Sequence, residues 1–181
     1  MSRLIAVDPD QASGKAKDLL DKVEAKLGLT PNMMRTMANS PAVLEAYLNF
    51  NNSLAEGSLS SRLREQIALV VAEANGCEYC LSAHTAIGKM VGLGTDDILA
   101  SRHSASTNPK AEAALKFATR IIARNGDVSD NDLGQIRQAG YTEGEIAEII
   151  ANVALNVFTN YFNQVAQTEV DFPRVTLNRA A

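Results

Sequence analysis

The chain is poor in the residues that do redox and metal chemistry: its 181 positions hold two cysteines and two histidines. So few cysteines exclude a framework of several disulfides. No stretch approaches the ~18 consecutive apolar residues of a membrane span, so no membrane partner is expected. Basic residues are not in excess either. Lys and Arg number 17 against 21 Asp and Glu, a net charge of -4, which argues against a nucleic-acid partner. The opening residues Met1-Ser2-Arg3-Leu4-Ile5-Ala6-Val7-Asp8 lack a secretory hydrophobic region and a cleavage site, so the expected location is cytoplasmic. In that reducing compartment, two cysteines at CxxC spacing favour catalysis or metal binding over a structural disulfide. What is plentiful is apolar: 46% hydrophobic residues exclude a disordered chain. The length suits one domain with a real core.

Strand alternation is almost absent, while helix punctuation is frequent. A helix is expected from about Gln11 to Leu27, with Gly28 as its stop. Thr30-Pro31 and Ser40-Pro41 each put a capping hydroxyl before a first-turn proline. Ser60 caps the next helix, which Asn75-Gly76 breaks. Another runs from Cys77 or Glu78 to Val91. Thr95-Asp96-Asp97 caps a short one, followed by a loop from Ser101 to Thr107. Asn108-Pro109 and Ser129 open two more, and Thr142 with Glu145 has capping-box spacing before the last long helix. The expectation is all-α: about nine helices in a single domain over 1–181, with 168–181 as a C-terminal tail.

The chemistry concentrates in Gly76-Cys77-Glu78-Tyr79-Cys80-Leu81-Ser82-Ala83-His84. Both cysteines are here, and His84 follows Cys80 by one helical turn, within reach of its sulfur directly or through one water. Only a thiolate is a good nucleophile, and a neighbouring base or a helix N-terminus raises the thiolate fraction. A second thiol two residues away can then close a disulfide. A thioredoxin-like fold would need βαβ units, which these helical surroundings do not offer. On the helix itself, Cys80, His84, Ile87 and Val91 share a stripe with Cys77 near its end. Glu78, Ser82, Thr85 and Lys89 are expected to face away.

The preceding helix has two apolar stripes. One is Leu63, Ile67, Val70, Val71 and Ala74; the other is Ala68, Leu69 and Ala72, with Glu65 upon it. Arg62, Gln66 and Glu73 are expected on the solvent side. A carboxylate on an apolar stripe needs a partner or a proton, and Glu65 could face His84 across the Asn75-Gly76 break. The alternative is a rim glutamate with its head in water. In the last helix Asn152, Asn156, Thr159 and Asn163 form an uncharged stripe, read here as a subunit contact against the alternative of an ordinary solvated face. Gln66–Ala72 resembles Glu145–Ala151, which reads as two similar apolar helices rather than a repeat.

Glu65, the Cys77-Glu78-Tyr79-Cys80 motif and His84 together resemble the active-site signature of the AhpD-like alkylhydroperoxidases of the carboxymuconolactone decarboxylase family. That signature is a glutamate, a CxxC twelve residues on and a histidine four further, and all four positions match. The likeness extends over about Leu27 to Pro173, including Val170-Asp171-Phe172-Pro173. One position departs: Tyr79 stands where AhpD has a histidine, as in many peroxidase-related members of the family.

The resemblance implies an antioxidant hydroperoxide reductase, catalytic through Glu65, Cys77, Cys80 and His84. It implies no haem, flavin or metal cofactor, only a redox-active Cys77–Cys80 disulfide. Cys80, activated by His84, would attack the peroxide, and Cys77 would resolve the sulfenic acid. Glu65 would orient His84 or a bridging water. An external dithiol or thiol-protein reductant would attack the more exposed Cys77. A homo-oligomer, trimer or hexamer, is implied as well. A general disulfide reductase would use the same dithiol. Three rivals remain. One is a zinc site of Cys77, Cys80 and His84 with Glu65 or His103, although His103 reads better as a surface residue. Another is an assembly protein with merely buried thiols. The third is a decarboxylase or isomerase using Glu65 and His84 as acid and base.

Overall fold

Helix–helix packing around one central helix organises the protein. The computed structural model describes residues 2–178. Among these residues there are nine helices and no strand: α1 Gly14–Leu27, α2 Asn32–Met37, α3 Pro41–Ala55, α4 Ser61–Ala74, α5 Glu78–Met90, α6 Thr95–Arg102, α7 Pro109–Ala123, α8 Asp130–Gln138 and α9 Glu143–Ala166. Residues 179–181 of the expected C-terminal tail, and Met1, lie outside the described residues.

α4 packs against α5, α6, α7 and α9. Its two apolar stripes serve two different cores. Leu69 and Ala72 join Leu20, Val23, Met37, Leu44 and Leu81 on the α5 side. Leu63, Ile67, Val70 and Val71 join Leu115, Ile136, Ile149 and Val153 on the other. Glu65, read from sequence onto the first of these sides, is therefore carried toward α5.

The caps follow the sequence in most places. Ser60 accepts from the Leu63 N–H, Asn108 from Lys110 and Ala111, Ser129 from Asp132, and Thr142 from Glu145. Three expectations are corrected. The N-cap of α2 is Pro31 rather than Thr30. Ser40 caps α3 by position, but its hydroxyl makes no capping bond. The N-cap of α6 is Gly94, whose N–H donates to Asp97, and Thr95 is already helical.

Further corrections concern faces read as solvent or subunit contact. Gln66 is buried and donates to Ser101, while Glu73 pairs with buried Arg102 at 2.7 Å, because α6 lies over that side of α4. Ser82 is fully buried, since residues 168–178 cross over α5 and Val175 donates its N–H to the Ser82 hydroxyl. The uncharged stripe of α9 is buried within its own chain: Asn152, Asn156, Thr159 and Asn163 are each at most 6% exposed. It is therefore no subunit contact. Asn152 and Asn156 return their amide hydrogens to carbonyls four residues back, and Thr159 its hydroxyl three back. That local bonding satisfies polar groups in the interior.

Candidate active site

The turn between α4 and α5 places the dithiol. The Gly76 N–H bonds to the Glu73 carbonyl and the Cys77 N–H to the Ala72 carbonyl, the paired bonds of a Schellman stop. Gly76 sits at φ 67°, where a side chain is strained. Cys77 is thus the last residue of one motif and the N-cap of the next helix. Its sulfur accepts the Cys80 N–H at 3.2 Å.

Cys77 and Cys80 are joined as a disulfide, with Cα atoms 5.3 Å apart. The expectation of a more exposed Cys77 is corrected: both residues are 2% exposed. They differ in what surrounds them. Cys77 lines a cleft of about 230 Å³ together with Glu78, Tyr79, Asn163, Thr168 and Arg174, and Cys80 does not. The Cys80 sulfur accepts instead from the Asn163 side-chain amide at 3.4 Å.

One turn along α5, His84 Nδ1 meets Glu65 Oε2 at 2.8 Å. The pair is mostly enclosed, with 21% of the histidine side chain and 17% of the glutamate side chain exposed. With Nδ1 engaged, the imidazole keeps Nε2 for a further proton transfer. No hydrogen bond joins His84 directly to either sulfur among the described residues, so the two halves of the site are adjacent but not bonded. His103 is elsewhere: exposed at the end of α6, it faces Asn178 at 3.3 Å. Among the described residues, no three His, Cys, Asp or Glu side chains gather as a metal-holding group.

Tyr79 occupies a structural position. Its hydroxyl accepts the Met33 N–H at 3.2 Å, and its ring meets Phe172 edge-on at 5.8 Å. Burial pushes its pKa up, so it stays neutral and ties α5 to α2 and to the C-terminal segment. Two residues of the site escaped the sequence reading. Tyr47 on α3 is half-buried, and burial and the charge of Glu65 push it up to about 12; it is a neutral hydroxyl near the carboxylate. Asn163 was placed on a stripe without being linked to the thiols. A larger cleft of about 450 Å³, lined by Arg62, Gln66, Asp97, Lys110 and Glu145, contains neither thiol nor imidazole.

Residues 41–120 match the carboxymuconolactone decarboxylase family; these run from the start of α3 into the last turn of α7 and include all four residues Glu65, Cys77, Cys80 and His84. No curated protein is similar enough in sequence to match. Solved structures share the fold. An uncharacterised peroxidase-related protein with the alkylhydroperoxidase AhpD core, from Ralstonia eutropha JMP134, superposes at TM-score 0.83 with 24% identity, over 94% of this chain and 92% of that one. A peroxidase-related protein from Silicibacter sp. TM1040 gives 0.80 and 23%, over 93% and 94%. A cysteine-to-alanine variant of the debrominase Bmp8, bound to 2,3,4-tribromopyrrole, gives 0.80 and 20%, over 94% and 92%.

Proposed function

We propose that this AhpD-like protein, which matches the carboxymuconolactone decarboxylase family over residues 41–120, is a thiol-dependent peroxidase working through a Cys77–Cys80 dithiol/disulfide cycle. The observation that carries the reading is the bonded CxxC pair at the mouth of α5, one turn from a Glu65–His84 pair. Cys80 as thiolate attacks the distal oxygen of a hydroperoxide. The O–O bond breaks, its electron pair leaves with the alkoxide, and a proton relayed through His84 gives the alcohol. The sulfenic acid on Cys80 condenses with the Cys77 thiol, forming the disulfide and releasing water. An external dithiol then reduces the disulfide by exchange and is itself oxidised. Within this proposal the four residues need no metal, haem or flavin. The protein acts in the cytoplasm as a homo-oligomer, trimer or hexamer.

The test is a thiol count on the reduced native protein before and after hydrogen peroxide or an alkyl hydroperoxide. Both thiols should disappear without a covalent dimer, and a dithiol donor should restore them and sustain peroxide consumption. Persistence of both thiols after oxidant rejects the peroxidase. Similarity in fold to a debrominase motivates a second reading, in which the same two electrons reduce a carbon–halogen bond. Bromide release from a brominated pyrrole, with no peroxide consumption, would favour it.

A further inference from the structure

Asn163 is 3% exposed and faces two sulfurs. Its Nδ2 donates to Met33 Sδ at 3.2 Å and to Cys80 Sγ at 3.4 Å. A thioether and a disulfide carry no S–H, so only the NH2 end of the amide can satisfy them. This fixes the orientation of the side chain. Its Oδ1 is left buried without a partner among the described residues, as is the Thr168 hydroxyl, and both residues line the cleft beside Cys77.

A buried amide kept with half its hydrogen bonds unmade is costly, so the contact it does make is informative. A hydrogen bond to an ionised sulfur is stronger than one to a neutral sulfur. Nδ2 therefore favours the state in which Cys80 is a thiolate over the disulfide that it touches here. Cys77, the residue of the other sulfur, lines the cleft from which a reagent would approach, and Cys80 does not.

We propose that Asn163 is a catalytic residue for opening the disulfide: it holds the Cys80 sulfur as the leaving thiolate while an external thiol attacks Cys77 through the cleft. The inference rests on the dithiol cycle proposed above and assigns the direction of its reductive half. The incoming thiolate forms a new S–S bond to Cys77 Sγ. The Cys77–Cys80 bond breaks, and its electron pair goes to Cys80 Sγ, which accepts a hydrogen bond from Asn163 Nδ2. The second thiol of the external dithiol then attacks the mixed disulfide on the reductant's own sulfur. Cys77 is released and takes a proton, and the dithiol leaves oxidised.

The experiment isolates Cys80 in a Cys77→Ser protein and follows its alkylation by iodoacetamide against pH. Adding Asn163→Ala removes the donor without adding charge. The profile should move to higher pH, with the rate near neutrality falling about tenfold or more and the limiting rate at high pH retained. A merely structural role would loosen the site and change the rate at every pH without moving the midpoint. Asn163→Asp, which also places a negative charge there, should move it further. The titratable and charged groups on the elements that carry or flank the dithiol are His84 with Glu65, the Glu78–Arg174 pair, Arg35, whose Nε donates to the Val7 carbonyl, and Asp171, which accepts the Asn32 N–H; none is substituted in these proteins. In the full dithiol protein, Asn163→Ala should slow reduction of the disulfide by dithiothreitol. Superimposable profiles for Cys77→Ser and Cys77→Ser/Asn163→Ala overturn the proposal. If the alanine variant does not fold, 15N-asparagine labelling of the Cys77→Ser protein decides: the Asn163 side-chain amide must titrate with the Cys80 midpoint, and a pH-independent signal overturns the role. None of these readouts uses peroxide, so the assignment can fail while the peroxidase stands, or survive its rejection.

Discussion

Cys77 and Cys80 receive different kinds of help. Cys77 stands at the N-cap of α5 and accepts the Cys80 N–H at 3.2 Å, so the helix dipole acts on it. That effect is worth about 0.3–1 kcal/mol. Cys80 stands one turn from His84, and general-base assistance is typically worth ~10²–10⁴-fold in rate. Within the proposed cycle, the larger effect assigns peroxide attack to Cys80 rather than Cys77. Cys77→Ser should then react with about one equivalent of peroxide and stop at a sulfenic acid that dimedone traps. Cys80→Ser should not react at a comparable rate. His84→Ala and Glu65→Gln should slow the first step while leaving both thiols countable in denatured protein. Fast single-turnover reduction by Cys80→Ser, with loss in Cys77→Ser, would exchange the two roles. The charged member of the site was legible in the sequence because a carboxylate on an apolar stripe demands a partner, and Glu65 found His84 at 2.8 Å. Asn163 and Tyr47 were not, because a neutral amide or phenol on a buried face has the pattern of ordinary packing.

At the scale of the element, the turn between α4 and α5 positions everything else. Adding a Cβ to Gly76 would meet nothing within 4 Å, so glycine is required for its backbone angle alone. Gly76→Ala should destabilise the protein by about 1–2 kcal/mol, seen as a melting temperature lower by roughly 2–8 °C. A melting temperature at or above the parent's would show that the strain is not there. Helix ends were readable because each rests on one or two residues: Ser60, Asn108, Ser129 and Thr142 all cap as expected. Helix faces were read less well. Gln66, Glu73 and Ser82 are polar yet covered, by α6 and by the C-terminal segment. Periodicity within one helix reports which side differs, not which neighbour arrives to cover it.

For the whole molecule, the burial of the α9 amide stripe moves the question of assembly to the opposite side of that helix. Ile150, Ala154, Phe158, Tyr161 and Val165 follow one another at intervals of three and four and are all exposed. Tyr161 is 57% and Val165 66% exposed, and Phe50 of α3 adds a further exposed ring at 40%. A stripe with this spacing is the seam that a second helix covers in helix–helix association, and contiguous exposed apolar surface of this kind marks contact sites. The proposed trimer or hexamer should therefore close through α9. Light scattering at micromolar concentration should give a multiple of the 19.4 kDa chain mass. Tyr161→Lys with Val165→Lys should return the monomer. Both side chains lie on the surface of the single chain, where substitutions usually change stability by no more than about 0.5 kcal/mol, so the helices and the Cys77–Cys80 pair should persist in the variant. A parent protein that is already 19.4 kDa in solution would reject the oligomer, and an unchanged oligomer in the double variant would move its interface off α9.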